Sequence, residues 1–342
     1  MVFSTTCRAN SVPNTIHTPG DLNNDISYYL GLSIAASTKQ TYSSAEKRFL
    51  EFCLLYRPPS GKFMPADENT LVQYAAYLAR SIKYSSIKSY LAAVRHFHIL
   101  NGYDLDFKKY PRLQLICKGI KRAQGCSTRV RLPITIQHLK LFFCLLAIPH
   151  TPNYDSLMIW AAMTLAFFGF MRLGELTCNS KFSCETHLSP SDVRFLPSSS
   201  QPDYMSIQVK ISKTDPFRIG HTLLIGKTNQ PICPVKAMKM FLVSRTNTPG
   251  PLFQYQSGSP LTKDALTSET RSLLAMSGVN PMQYAGHSYR IGAATTAASV
   301  GLPPWLIKTL GRWTSDCYER YIQCPDSLLS EVSTRLVQDT LN

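Results

Sequence analysis

Residues 286–322 read GHSYRIGAATTAASVGLPPWLIKTLGRWTSDCYERYI, and this stretch decides how the chain is read. It predicts a helix over His287–Ser299 and another over Pro303–Leu310. On the first helix His287 and Arg290 stand three apart and share a face. Gly311-Arg-Trp313 follows, then Tyr318 and Tyr321, also three apart. Singly, each string has an ordinary explanation. A His-x-x-Arg step suits a capped helix start, and a Trp in an amphipathic tail suits core.

Immediately upstream, helices are expected at Pro234–Ser244 and Thr262–Met276, and before them three segments alternate like strands: Asp192–Leu196, Met205–Ser212 and Thr222–Ile225. In the middle one Met205, Ile207, Val209 and Ile211 are apolar while Ser206, Gln208 and Lys210 are polar. Asp215-Pro216 makes a turn, so the last two strands form a hairpin carrying Lys213-Thr-Asp. Strand parity puts Lys213 in phase with Ile211 and Lys210 out of phase. Arg172-Leu-Gly-Glu175 precedes the sheet, and an Arg-x-x-Glu step on a helix is ordinarily a simple ion pair. Helices at Thr135–Ala147 and Tyr154–Phe170 open this second unit.

The first unit is all helical. Tyr42, Ala45, Phe49, Phe52 and Tyr56 recur at three- and four-residue steps, and Pro58-Pro59 ends that helix. Further helices are expected from Asp67, over Ser85–Leu100 and over Arg112–Arg122. Residues 1–24, rich in Ser, Thr, Asn and Pro, read as a flexible arm. The fold class is mainly α with a small antiparallel β-sheet.

Of 342 residues, 44% are hydrophobic, 36 are Lys or Arg and 21 are Asp or Glu, a net charge of +15. Such an excess points to a polyanionic partner, most commonly nucleic acid. The charge is concentrated: 11 bases lie between Lys83 and Arg131 against Asp104 and Asp106, a local +9 running into a linker at 123–132. The longest uncharged apolar run, Leu157–Met171, is 15 residues, short of the roughly 18 a membrane span needs. Without a basic stretch and apolar core at the start, a secretory signal is not expected. None of the ten cysteines forms a Cys-x-x-Cys pair, which suits a reducing compartment. Cys178, Cys184 and His187 fall close together, but zinc needs a fourth ligand and tighter spacing, so no metal is expected.

Taken together and in order, these strings resemble the tyrosine recombinase (phage integrase) family, from about Ser37 to Ile322. The wording of residues 286–322 is similar to recombinases of eukaryotic mobile elements, the Crypton, Ngaro and DIRS groups. The resemblance implies a core-binding domain at 25–122, a catalytic domain at 133–325, and a C-terminal helix at 326–342 that docks on itself or on a neighbour. The two domains would form a C-shaped clamp on double-stranded DNA. It also implies catalytic roles for Arg172, its buttress Glu175, Lys213, His287, Arg290, Trp313 and the nucleophile Tyr321. Tyr321 lies eight residues past Trp313 where the family usually has nine; Tyr318 lies five past and reads as packing.

The implied chemistry suits these side chains. Two guanidiniums give a phosphate paired hydrogen bonds, the indole donates without protonation, and Lys213 serves as general acid. The resemblance further implies a homotetramer on two DNA sites, no cofactor, and a nuclear location. Expected DNA contacts are Lys39, Thr41, Ser85, Ser86, Lys88 and Arg95, with Lys121 and Arg122 holding phosphates. The competing readings are a type IB topoisomerase-like enzyme, a host-adopted DNA-binding protein without recombination activity, and a zinc-dependent regulator.

Overall fold

The computed structural model describes residues 19–57, 61–125, 131–148, 150, 152–215, 217–246 and 248–323. The chain divides into two units, Met1–Thr128 and Arg129–Asn342.

Five helices make up the described part of the first unit: α1 (Pro19–Leu32), α2 (Ala36–Tyr56), α3 (Glu68–Ala79), α4 (Tyr84–Leu100) and α5 (Pro111–Gln124). The arm expected over residues 1–24 is therefore too long, because α1 already begins at Pro19. Proline's fixed φ suits a first helical position, and Leu22, Ile26, Tyr29 and Leu30 recur at helical steps behind it. Residues 1–18 lie outside the described residues. Leu71, Tyr74, Ala75 and Leu78 bury one stripe of α3. That stripe meets Phe49 and Phe52 of α2 and Ile87, Leu91 and Val94 of α4. Asp67 caps α3 by accepting the Thr70 N–H at 2.7 Å. His98, fully buried, links α4 to the chain before α3. Its Nε2 accepts the Ala66 N–H at 2.9 Å, so Nδ1 carries the proton and donates to Val94 O at 2.7 Å.

In the second unit the apolar run becomes α7 (Tyr154–Phe168), buried almost all round from Leu157 to Phe167. It is a core helix, and no described helix is long and apolar enough to cross a membrane. Before it comes α6 (Ile136–Leu145), and after it the single turn α8 (Leu173–Leu176). Strands β1 (Val193–Leu196), β2 (Tyr204–Val209) and β3 (His221–Gly226) form an antiparallel sheet in the order β1-β2-β3. Met205 pairs with Ile225 and Ile207 with Leu223, all four buried on the core side. Then follow α9 (Pro234–Ser244), α10 (Lys263–Met276), α11 (Ser288–Ser299), α12 (Pro304–Leu310) and a 3-10 stretch, Asp316–Tyr321. The mostly helical architecture with one small sheet is the one expected. The C-terminal helix expected at 326–342 lies outside the described residues.

The segment entering the second unit is pinned to α11. Ile134 N–H donates to Ser288 O at 2.9 Å, and Leu132 N–H to Gln283 O at 3.0 Å. Gly292 makes this approach possible: a Cβ there would stand 1.8 Å from Ile134 O. Because the obstacle is backbone, it cannot rotate away. Gly292→Ala should therefore cost about 3 kcal/mol, the top of the range typical of overpacking. Urea unfolding of the full chain measures it, and wild-type stability would contradict the close packing.

Candidate active site

Arg172 is the N-cap of α8, not a residue within a long helix. Its backbone N–H donates to Glu175 Oε2 at 3.0 Å and its Nη1 to Glu175 Oε1 at 2.8 Å. One turn of helix thus folds the Arg-x-x-Glu string onto itself. The Glu175 side chain is only 4% exposed, while that of Arg172 keeps 17%. A second guanidinium closes the carboxylate: Arg312 Nη2 donates to Glu175 Oε2 at 2.6 Å. Sequence reasoning missed Arg312, although it sits inside the Gly311-Arg-Trp313 string.

Arg290, on the first turn of α11, is completely buried. Its Nη1 donates to Phe170 O at 2.7 Å and its Nη2 to Gly311 O. The guanidinium lies 4.2 Å from the centre of the Trp313 ring and 5.8 Å from that of Tyr321. Burial, reinforced by Arg172, pulls its pKa down to about 10, which leaves it charged at neutral pH. Gly311 is required where it stands, since a Cβ would fall inside the Trp313 ring.

His287 caps α11 and faces the same place. Its ring stacks towards that of Tyr321, centroids 6.3 Å apart. Burial lowers its pKa, with Lys263, Arg172, Arg290 and Lys213 adding repulsion in that order. Lys263, on the first turn of α10, is a cation the sequence reading passed over. A neutral imidazole in this setting can accept a proton.

The two tyrosines separate. Tyr318 is buried among Phe170, Ala293, Ala294, Ile307 and Trp313. Tyr321 is half-buried beside Trp313, ring centroids 5.2 Å apart, and beside His287. Thr295 of α11 holds its main chain, donating to Tyr321 O at 3.1 Å and accepting the Gln323 N–H at 3.1 Å.

Lys213 needs a different argument from the one based on strand parity. β2 ends at Val209, and Lys213 sits in a turn of the 210–220 loop, where alternation no longer applies. Asp215 closes that loop by accepting the Ile219 and Gly220 N–H groups at 3.1 and 2.7 Å. What separates the two lysines is occupancy. Lys210 is committed to Asp192 at 2.5 Å and to His187 O at 3.1 Å. Lys213 is exposed, has no carboxylate partner among the described residues, and is near enough to His287 to act on its charge.

Arg172, Glu175, His287, Arg290, Trp313 and Tyr321 are thus brought together, with Lys213 on a loop beside them. Among the described residues, five buried side-chain polar atoms have no hydrogen-bond partner, and three belong here: Arg290 Nε, Arg312 Nε and Trp313 Nε1. The unpaired donors of Arg290 and Trp313, beside a phenol and several cations, suit an anion.

No described group of three His, Cys, Asp or Glu side chains could hold a metal ion. Cys178 Sγ donates to Ser180 O, Cys184 is exposed, and His187 Nδ1 accepts the Ser183 N–H.

The expected DNA contacts fall into two groups in the first unit. Tyr42 packs on His96 and Arg48 lies over Tyr90, so α2 and α4 run antiparallel. Lys39 and Thr41 therefore lie towards the Arg95 end. Ser85, Ser86 and Lys88 lie at the other, where Gln124 of α5 binds Tyr84 N–H and brings Lys121 and Arg122 near. All eight are exposed, but Arg95 spends its Nε on Leu105 O at 2.9 Å.

No family model matches the chain. It is 25% identical over 301 residues to an integrase/recombinase XerD homolog of Selenomonas ruminantium, covering 85% of this chain and 82% of the relative. Its fold is similar to the Tn1549 transposon integrase in complex with transposon right end DNA. That match has a TM-score of 0.59 and 13% identity, over 93% of this chain and 98% of the integrase. XerH recombinase in a post-cleavage complex matches at 0.59 and 15%, over 86% and 78%. A lambda integrase dimer on a core site matches at 0.55 and 15%, over 90% and 96%. The fold is that of the tyrosine recombinase catalytic domain. The chain is thus similar in sequence to an integrase/recombinase and in fold to solved integrases and recombinases.

The electrostatics yield a direct prediction. An NMR titration of His287 should give a pKa below the ordinary 6.5, because burial and the surrounding cations disfavour its charged form. Lys263→Met should raise it. A value at or above 6.5 in the wild type would contradict this geometry.

Proposed function

We propose that this protein is a site-specific DNA recombinase of a mobile element, cutting and rejoining strands through a 3′-phosphotyrosyl intermediate. The carrying observation is the convergence on Tyr321 of Arg290 and Trp313, each with a buried donor lacking a partner, beside the Arg172–Glu175 pair.

In this reading a DNA phosphate enters between Tyr321 and the guanidiniums. Tyr321 Oη attacks phosphorus, its proton passing to neutral His287. Arg172, Arg290 and the Trp313 N–H receive the charge that develops on the non-bridging oxygens. The 5′-oxygen leaves and takes a proton from Lys213, giving a free 5′-hydroxyl. The phosphotyrosine ester retains the energy of the broken bond, so a 5′-hydroxyl from a partner duplex reverses the step. ATP and divalent metal have no step in this scheme.

Repeating the exchange across two duplexes calls for several copies, and the reading includes a tetramer on two sites. The Crypton, Ngaro and DIRS-like wording of residues 286–322 supports the mobile-element context and, with it, work in a nucleus. The basic stretch from Lys83 to Arg131 supports a DNA partner bound in a salt-dependent way.

To test it, binding sites are selected from a pool of randomised duplexes and remade as a suicide substrate nicked near the cleavage position. The wild type should leave a 5′-labelled strand covalently attached in SDS, with or without EDTA, and Tyr321→Phe should abolish the adduct. Joining of two labelled duplexes separates recombination from simple relaxation of a supercoiled circle. Wild type without any adduct would overturn the proposal. An adduct that survives Tyr321→Phe and vanishes in Tyr318→Phe would move the nucleophile.

A further inference from the structure

Glu175 is a buried carboxylate shared by two guanidiniums that differ in what else they face. Arg172 takes Oε1 at 2.8 Å and keeps part of its surface open, with a side chain 17% exposed. Arg312 takes Oε2 at 2.6 Å and is 8% exposed. Its Nη1 points to Gly169 O at 3.4 Å, on the turn that leads into Arg172. Arg312 also has a φ of 54°, a left-handed conformation unusual for an arginine, which aims its side chain back at α8.

The charge arithmetic gives this arrangement a purpose. A lone Arg172–Glu175 pair is neutral, and the buried carboxylate would cancel much of the field that Arg172 directs at an anion. With Arg312 on the second oxygen, the three groups carry a net single positive charge. Arg312 joins the Arg172 backbone N–H on that oxygen while Arg172 Nη1 holds the other, so the carboxylate is fixed against Arg172.

We infer that Arg312 is a positioning residue that neutralises Glu175, leaving Arg172 its full charge for the phosphate. The inference rests on the recombinase reading for its consequence in catalysis, and on the geometry alone for its effect on anion binding. Arg312 touches no substrate in this scheme. Burial lowers its pKa while Glu175 opposes that, as expected for a guanidinium held by a carboxylate partner.

The inference predicts an unusual sign. Arg312→Gln leaves Glu175 free to cancel Arg172, whereas Arg312→Gln combined with Glu175→Gln removes the cancelling charge as well. Single-turnover adduct formation on the selected suicide duplex, at saturating DNA, should fall at least thirtyfold in Arg312→Gln, with DNA affinity within threefold of wild type. Arg312→Lys should recover most of the rate. The double variant should be faster than Arg312→Gln and within threefold of Glu175→Gln alone. Wild-type rate in Arg312→Gln would overturn the inference. So would a double variant no faster than Arg312→Gln, or one much slower than Glu175→Gln, since a purely structural staple adds its loss to that of Glu175.

Thermal melts accompany each variant. Should Arg312→Gln not fold, the comparison of the double variant with Glu175→Gln decides alone, because neither leaves an unpaired buried carboxylate. A second readout is independent of cleavage: inorganic phosphate titrated against Trp fluorescence. Its affinity should weaken about tenfold in Arg312→Gln and recover in the double variant, and unchanged affinity would overturn the inference. Failure of wild-type adduct formation with this phosphate pattern intact would sink the recombinase reading and leave the role of Arg312 standing.

Discussion

A guanidinium with no exposed surface holds the second unit's site together. Arg290 reaches from α11 to Phe170 O on one side and Gly311 O on the other, with the Trp313 ring against its face. Burying such a charge is costly unless its surroundings compensate, and two carbonyls and an indole ring do so only in part. Its Nε is left without a partner. The two turns it bridges carry Phe170 and Arg312, both with positive φ, 49° and 54°. Those turns in turn aim Arg172 and Trp313. Removing Arg290 would therefore undo the positions of its neighbours as well as its own charge.

Around that anchor the fold distributes the work among elements far apart in sequence. α8 presents Arg172 and Glu175, the β2–β3 loop carries Lys213, α11 contributes His287, Arg290 and the Thr295 clamp, and the 3-10 stretch delivers Tyr321. The buried α7 and the sheet supply the rigid body on which these pieces sit. The first unit builds a separate core, from Phe49 and Phe52 through Tyr74 to Val94.

Much of this was legible in the sequence because it rests on local rules. Capping residues Asp67, Thr135 and Thr262 mark helix starts, and the alternation from Met205 to Val209 marks a strand. The order of the short motifs carried the site. What was not legible depends on the third dimension. Arg312 gains its role from a carboxylate 137 positions earlier, and Lys263 gains its place near His287 from how α10 packs. Lys213 was picked out by parity, yet it lies beyond the strand, and the physical distinction is that Asp192 occupies Lys210. The expected DNA contacts looked like one set in sequence and lie at two ends of an antiparallel helix pair.

The decisive measurement is a structure of the protein on its DNA site with vanadate between Tyr321 and a cleaved end. Vanadium should be found with Tyr321 Oη in an axial position and its equatorial oxygens bonded by Arg172, Arg290 and the Trp313 N–H. Vanadate bound elsewhere, or held with Tyr321 turned away from it, would contradict the whole arrangement.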